Sequence, residues 1–156
     1  MEGNNIPRRA KVLVVGGGGR EHAIVDALSR SERVEKIFCA PGNAGIARQA
    51  KCVPLEDTQV DELAEFAENE GIDLTVVGPE VSLAAGIVDE FEARGLKIFG
   101  PSKAAARIES SKDFAKELMA KYNVPTAAYR TFSDYDEALA YVNAGKLPIV
   151  LKYDGL

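Results

Sequence analysis

The fold is decided by residues 11–24, which read Lys-Val-Leu-Val-Val-Gly-Gly-Gly-Gly-Arg-Glu-His-Ala-Ile. An apolar, largely β-branched run ends here in four glycines and continues directly into residues with helical spacing. This pattern predicts a buried strand over residues 11–15, a tight turn over residues 16–19, and a helix over residues 20–29. A strand, a turn and a helix in this order are the first unit of an α/β fold with a parallel sheet.

The same alternation continues to about residue 101. Further strands are predicted at residues 35–39, 51–54, 73–77 and 97–99, and further helices at residues 83–94 and after Thr58, which is the expected N-cap. Because the connections are short, residues 11–101 are expected to form one parallel sheet with helices on both faces.

A different pattern follows residue 101. Helices are predicted at residues 102–108, from a cap at Ser110 or Ser111 to Tyr122, and at residues 134–144 with Ser133 as cap, with strands at residues 128–132 and 147–153. We interpret residues 102–156 as the beginning of a second domain that is incomplete at Leu156.

Composition and charge exclude several classes of protein. Of 156 residues, 46% are hydrophobic and 28% are charged, which is typical of a globular domain and not of a disordered tail. The net charge of −5, and twelve acidic residues without any Lys or Arg between Val53 and Ala93, disfavour nucleic-acid binding. No apolar run approaches the roughly 18 residues of a membrane span. Residues 1–10 are polar and are expected to be a disordered leader without a signal peptide.

The cysteine and histidine content predicts a reducing, cytoplasmic setting. Cys39 and Cys52 are the two cysteines, there is no Cys-x-x-Cys motif, and His22 is the single histidine. A disulfide-based scaffold and a structural zinc site are therefore disfavoured. We expect His22 to have a packing or capping role.

The glycine-rich turn does not fit the common nucleotide motifs. Gly16 and Gly18 match the first two positions of Gly-x-Gly-x-x-Gly, but the third position is Glu21, and the second strand ends in Cys39-Ala40 instead of an acidic residue. The P-loop motif has no match. Two alternatives stay open: the helix N-terminus receives an anion or a polar ligand, or the glycines only form a turn in which Glu21 favours the helix dipole.

Two other polar loops are predicted to meet this turn. Residues 41–45 follow the second strand and include Asn43, and residues 78–80 follow the strand at 73–77 and end in Glu80. The carboxyl ends of parallel strands lie at one edge of a sheet, where ligands bind in such folds. We therefore expect the three loops to converge.

Five blocks of sequence resemble the glycinamide ribonucleotide synthetase (phosphoribosylamine–glycine ligase) family over residues 11–156, in the family's order and spacing. They are Val-Gly-Gly-Gly-Gly-Arg-Glu-His-Ala (15–23), Ala-Pro-Gly-Asn-Ala-Gly (40–45), Gly-Pro-Glu (78–80), Gly-Pro-Ser-Lys-Ala-Ala-Ala (100–106) and Glu-Ser-Ser-Lys-Asp-Phe-Ala-Lys (109–116). The resemblance implies a half-Rossmann substrate domain followed by the start of an ATP-grasp domain.

It also implies an activity. Family members use ATP and Mg²⁺ to join glycine to 5-phosphoribosylamine through glycyl phosphate. By resemblance, the substrate-binding residues are Gly17, Gly18, Gly19, Glu21, Asn43 and Glu80, and the ATP-binding residues are Lys112 and Lys152. Arg20 is also expected to bind substrate, because a guanidinium in the first turn of the helix can pair with a phosphate or a carboxylate. No catalytic residue or metal ligand is assigned to this chain, and the oligomeric state is left open.

The sequence departs from the family pattern at three places. Ser82 replaces a common Pro, Tyr153 replaces Ala, and the chain ends before the glycine-rich loop that covers the ATP phosphates. We therefore expect these 156 residues alone to lack ligase activity. Two other functions stay open: another ATP-grasp carboxylate–amine ligase or biotin-carboxylase-like subunit, and a non-catalytic module that binds a sugar phosphate or a nucleotide.

Overall fold

The computed structural model describes residues 9–155, and it contains the predicted parallel sheet. Five strands, all parallel, lie in the order β3-β2-β1-β4-β5. They are β1 (Ala10–Gly16), β2 (Val34–Pro41), β3 (Lys51–Cys52), β4 (Leu74–Val77) and β5 (Ile98–Phe99). The α/β class is confirmed. Most of the predicted leader lies outside the described residues, but Ala10 belongs to β1.

Helices cover both faces of the sheet because both faces of its strands are apolar. These are α1 (Gly19–Ser29), α2 (Val60–Glu70), α3 (Glu80–Ala85) and α4 (Ile87–Ala93), together with a short 3-10 helix at Ile46–Arg48. Alternation along β1 sends Leu13 and Val15 into a core shared with α2 and α4. Val14, between them, enters a second core with α1 and the 3-10 helix.

Two helix predictions in this region are wrong in detail. The helix expected over residues 83–94 is two helices, because Gly86 has a φ of +101°, a left-handed conformation that ends α3. Thr58 does not cap α2: it lies in a turn where the Val60 amide donates to the Thr58 carbonyl, and Gln59 occupies the N-cap position.

The chain divides into two compact units, up to Ala106 and from Arg107 onward. α5 (Lys103–Ser110) crosses this boundary, and α6 (Lys112–Lys121) and α7 (Tyr135–Ala144) belong to the second unit. Ser111 caps α6 as predicted, since its Oγ accepts from the Phe114 amide at 3.1 Å. The cap of α7 is Asp134, not Ser133, because the Asp134 carboxylate accepts from the Glu137 amide at 2.9 Å.

The two strands predicted in the second unit are not observed. Residues 128–132 and 147–153 form no ladder with any strand in the described part of the chain. Their apolar sequence is right for a strand, but a strand is stabilised by its neighbour, and here Val150, Leu151 and Tyr153 are exposed. Within residues 9–155 no helix is long and apolar enough to cross a membrane.

Candidate functional site

Three loops meet at the carboxyl edge of the sheet, as the sequence predicts. Gly16 of the glycine loop (residues 16–19) accepts through its carbonyl from the Gly42 amide at 3.2 Å. The Gly17 carbonyl accepts from Asn43 Nδ2 at 2.7 Å. The Gly78 amide donates to the carbonyl of Val15, next to the loop, at 3.1 Å. The loops after β1 and β2 are therefore hydrogen-bonded to each other, and the loop after β4 is hydrogen-bonded to the end of β1.

The Glu21 side chain lies inside this junction. It is 4% exposed, and its Oε2 accepts from the Gly18 amide at 2.6 Å. A β-carbon on Gly78 would overlap the Glu21 carboxylate, and one on Gly16 would lie 2.7 Å from Glu21 Cγ. Glycine is thus required at these positions by the close approach of a carboxylate, in addition to any need for a turn.

The second carboxylate oxygen of Glu21 is buried and has no hydrogen-bond partner among the described residues. Within residues 9–155, Arg20 Nε lies 4.0 Å from Oε1. Unpaired buried oxygens are rare, since desolvation without a hydrogen bond is unfavourable by about 1–3 kcal/mol. The observed contacts support the turn-forming role of Glu21, and a direct contact between Glu21 and a ligand stays a prediction.

Arg20 and Glu80 form an ion pair across the site. Arg20 Nη2 donates to Glu80 Oε2 at 2.9 Å, and the side chains are 66% and 39% exposed. The hydrogen bond from Arg20, followed by one from the backbone amide of Glu80, lowers the pKa of the Glu80 carboxyl. Surface pairs of this kind contribute less than about 1 kcal/mol, so a ligand could separate these two side chains with little penalty.

Asn43 braces two of the loops. Besides its bond to Gly17, its Oδ1 accepts from the amides of Gly45 and Ile46 at 2.8 and 3.0 Å, which starts the 3-10 helix. His22 packs against the same loop, because a β-carbon on Gly45 would lie 2.7 Å from His22 Cε1. The sequence places Asn43 correctly at the junction of the loops. Its observed hydrogen bonds connect the loop after β2 to the glycine loop.

The open part of the site lies over the start of α1. Gly18, Gly19 and Arg20 are exposed, and a β-carbon on Gly19 would meet nothing within 4 Å. The N-terminus of α1, an eleven-residue helix, therefore has room beside it for a ligand. Amides at a helix N-terminus, with an arginine beside them, suit an anion such as a phosphate.

The two lysines expected on the nucleotide side are in the second unit. Lys112 begins α6, is exposed, and its Nζ donates to the Gly155 carbonyl at 3.1 Å. Lys152 is exposed and does not end a strand, in contrast to the expectation from its apolar neighbours.

Sequence reasoning missed Asp154, which occupies the N-terminus of α6. Its Oδ1 accepts from the amides of Lys112 and Asp113 at 2.6 and 3.1 Å, and its Oδ2 accepts from Ser111 Oγ at 3.1 Å. These donors, the Asp113 amide foremost, lower the pKa of Asp154. The available signal was an acid close to the chain's last apolar run, but its partners are about 40 residues away in sequence, beyond the range of local pattern.

No group of three or more His, Cys, Asp or Glu side chains in residues 9–155 is arranged to hold a metal ion. Of the two carboxylates of the site, Glu80 accepts from Arg20, and Glu21 accepts from the Gly18 amide through Oε2 while its Oε1 is buried. The described residues therefore do not fit a magnesium site, and we derive no metal-dependent step for them.

Two family models match the chain. The model described as phosphoribosylglycinamide synthetase, N domain, matches residues 10–109, and the model described as phosphoribosylglycinamide synthetase, ATP-grasp (A) domain, matches residues 110–156. A curated phosphoribosylamine–glycine ligase from Caldanaerobacter subterraneus subsp. tengcongensis is 60% identical over 146 residues, or 94% of this chain and 35% of that protein. The chain thus spans about a third of the length of that relative.

Solved structures share the fold. Phosphoribosylamine–glycine ligase from Thermotoga maritima superposes with a TM-score of 0.68 at 31% identity, over 94% of this chain and 33% of the other. The biotin carboxylase domain of 2-oxoglutarate carboxylase from Hydrogenobacter thermophilus gives a TM-score of 0.66 at 16% identity, over 88% and 33% of the two chains. The second likeness extends to the fold alone, so the biotin-carboxylase alternative has no support beyond architecture.

Proposed function

Because the chain belongs to the phosphoribosylglycinamide synthetase family, we propose that its first unit binds 5-phosphoribosylamine for a ligase that joins this amine to glycine with ATP. Membership confirms the resemblance carried by the five blocks of sequence. The observation that supports the proposal is the junction of three loops around an open helix N-terminus, with Arg20 and Glu80 at its rim.

The residues of the site divide naturally between the two ends of this substrate. The Gly19 amide and the Arg20 guanidinium, at the open start of α1, suit the 5-phosphate. Glu80 suits the ribose hydroxyls, since a carboxylate accepts two hydroxyl hydrogens at once. Glu21 and Asn43 hold the loops in place through their hydrogen bonds with the Gly18 amide and the Gly17 carbonyl. Binding then exchanges the Arg20–Glu80 pair for contacts of each side chain with the substrate.

The second unit is proposed to carry part of the ATP side. Lys112 and Lys152 are the cations assigned to the phosphates, and Lys112 Nζ would exchange the Gly155 carbonyl for a phosphate oxygen. In the proposed reaction the glycine carboxylate attacks the γ-phosphorus of ATP and ADP leaves. The amine of phosphoribosylamine then attacks the acyl carbon, the bond from that carbon to the phosphate oxygen breaks, and phosphate leaves while the nitrogen releases a proton to solvent. Positioning and charge neutralisation, rather than a proton relay, are what these residues supply.

Titration of the chain with ribose 5-phosphate tests the binding role. We expect Glu80→Ala to weaken binding at least about tenfold, because a charge-assisted hydrogen bond is lost. Glu65→Ala, which removes an exposed carboxylate of α2, is the matched control and should leave the affinity unchanged. Isothermal titration calorimetry at fixed ionic strength measures both.

Two outcomes would contradict the proposal. An equal loss of affinity for ribose 5-phosphate in Glu80→Ala and Glu65→Ala would mean that Glu80 acts only through the overall charge of the chain. Binding of AMP without any binding of ribose 5-phosphate would favour a nucleotide-binding module instead.

A further inference from the structure

The two cysteines face each other across neighbouring strands. Cys39 of β2 pairs in register with Cys52 of β3, and both side chains belong to the core shared with α1 and the 3-10 helix. Adjacent strands lie about 4.8 Å apart. This spacing falls within the roughly 4.4–6.8 Å between α-carbons that a disulfide needs. Both cysteines are reduced in this structure.

Gly42 shows how close the two side chains are. A β-carbon on Gly42 would lie 2.5 Å from Cys52 Sγ and 3.5 Å from the β-carbon of each cysteine. Both cysteine β-carbons therefore border the same small volume, on one side of the sheet. Any side chain at position 42 would enter that volume, so the glycine leaves it free for the sulfur atoms of Cys39 and Cys52.

The two sulfurs differ in access to solvent. Cys39 is fully buried, and burial, with a smaller effect of neighbouring Cys52, raises the pKa of its thiol to about 12. Cys52 is half-buried on a two-residue edge strand. An oxidant therefore reaches Cys52 first, and Cys39 is protected until a reactive sulfur is placed next to it.

We propose that Cys39 and Cys52 are an oxidative modification site, at which hydrogen peroxide converts the facing thiols into an intramolecular disulfide. The Cys52 sulfur attacks one peroxide oxygen, the O–O bond breaks, and water leaves behind a sulfenic acid. The Cys39 sulfur then displaces the sulfenic hydroxyl, which departs as water with the Cys39 proton. One peroxide is reduced by two electrons to two waters, and the two thiols are oxidised to one disulfide.

Oxidation would act on the loops of the candidate site. The Cys39 thiol donates to the Gly16 carbonyl at 3.2 Å, and the Cys52 thiol donates to the Asn43 carbonyl at 3.8 Å. Both donors disappear when the disulfide forms, and both sulfurs turn toward each other. The glycine loop and the loop that contains Asn43 are therefore expected to shift on oxidation.

The test is treatment of the reduced, folded chain with hydrogen peroxide, followed by intact mass, thiol titration and peptide mapping. We expect the loss of two hydrogen atoms, the loss of both thiols, a Cys39–Cys52 linked peptide, and full reversal by dithiothreitol. Oxidation of Cys52 to sulfinic acid while Cys39 stays a free thiol would overturn the proposal. Disulfide-linked dimers as the main product would do the same.

Single variants separate the two steps. In the Cys39→Ser variant, oxidation by hydrogen peroxide should stop at a Cys52 sulfenic acid, which dimedone traps. In the Cys52→Ser variant, Cys39 should not react with hydrogen peroxide under the same conditions. Because a change at buried Cys39 can impair folding, the peptide map of the unmodified chain decides the proposal by itself.

Amide NMR shifts measure the coupling to the site. Oxidation should shift the amide signals of Gly16, Gly42 and Asn43 and leave those of α2 unchanged. If the signals of the three loop residues do not shift, oxidation does not act on the loops. None of these readouts depends on the proposed substrate.

Discussion

Glu21 has a fixed place among three glycines, and its contacts account for the sequence of two separate loops. Its carboxylate lies against Gly16 and Gly78 and caps the Gly18 amide. Sequence reasoning found the turn, because four consecutive glycines after an apolar run are a local signal. It could not find the burial of Glu21, because the glycine that admits this side chain, Gly78, is 57 residues away.

Gly78→Ala is expected to destabilise the first unit by about 2 kcal/mol, because the new methyl group overlaps the Glu21 carboxylate in a packed region. In a Glu21→Ala background the same change should be within about 0.5 kcal/mol of neutral, since the overlapping atoms are gone. Urea unfolding of the four chains of this double-mutant cycle gives both values.

Gly19→Ala is the control for the Gly78 cycle. A β-carbon at Gly19 meets nothing within 4 Å, so this substitution should leave the free energy of unfolding almost unchanged. An equal penalty for Gly78→Ala with and without Glu21 would contradict the packing argument.

At the scale of elements, the sequence predicts helices and strands that depend on local residues, and it does not predict whether a strand finds a neighbouring strand to pair with. The strands of the first unit were predicted to within about two residues, because each is an apolar run that ends at a glycine or a turn. The strands expected at residues 128–132 and 147–153 carry the same local signal, and they lack a ladder partner in the described chain. The break at Gly86 was missed because helical spacing continues through it.

The short helix α3 contains a buried hydroxyl group, that of Ser82. Ser82 is fully buried, and its Oγ has no hydrogen-bond partner among the described residues. Ser82→Ala should therefore leave stability unchanged or raise the free energy of unfolding by up to about 1 kcal/mol, since an unsatisfied hydroxyl is removed and the shape is kept. Thermal and urea unfolding measure the change.

Ser29→Ala, at an exposed hydroxyl that donates to the Asp26 carbonyl, is the comparison for Ser82→Ala and should be neutral or slightly destabilising. A loss of more than about 1 kcal/mol in Ser82→Ala would show that the hydroxyl has a partner in solution, such as a bound water.

At the scale of the whole molecule, the two units differ in how much core they have. Every buried side chain among residues 9–155 belongs to the first unit, and most of them form two clusters on either side of the sheet. In the second, the helices α6 and α7 have no buried residue. Large apolar side chains are exposed there: Tyr122, Val124, Tyr129, Tyr135, Leu139, Tyr141, Leu147, Val150, Leu151 and Tyr153.

Hydrogen exchange should reflect this difference. Amides of residues 128–132 and 147–151 are expected to exchange at least about 100-fold faster than those of β1, because they lie in neither a helix nor a ladder and have no buried core around them. Exchange of the chain at neutral pH, followed by mass spectrometry, measures both regions in one sample. Comparable protection in the two regions would show that the second unit has a core that its exposed side chains do not reveal.

The lengths of the outermost strands have a consequence for aggregation. β3 and β5 are two residues long, so each border of the sheet offers a foreign chain very little unpaired backbone. The part of β2 that extends beyond β3 begins with Val34-Glu35-Lys36, where two charged side chains oppose pairing with a foreign strand. Two-residue strands at both edges and charges on the uncovered part of β2 therefore disfavour edge-to-edge polymerisation of this sheet.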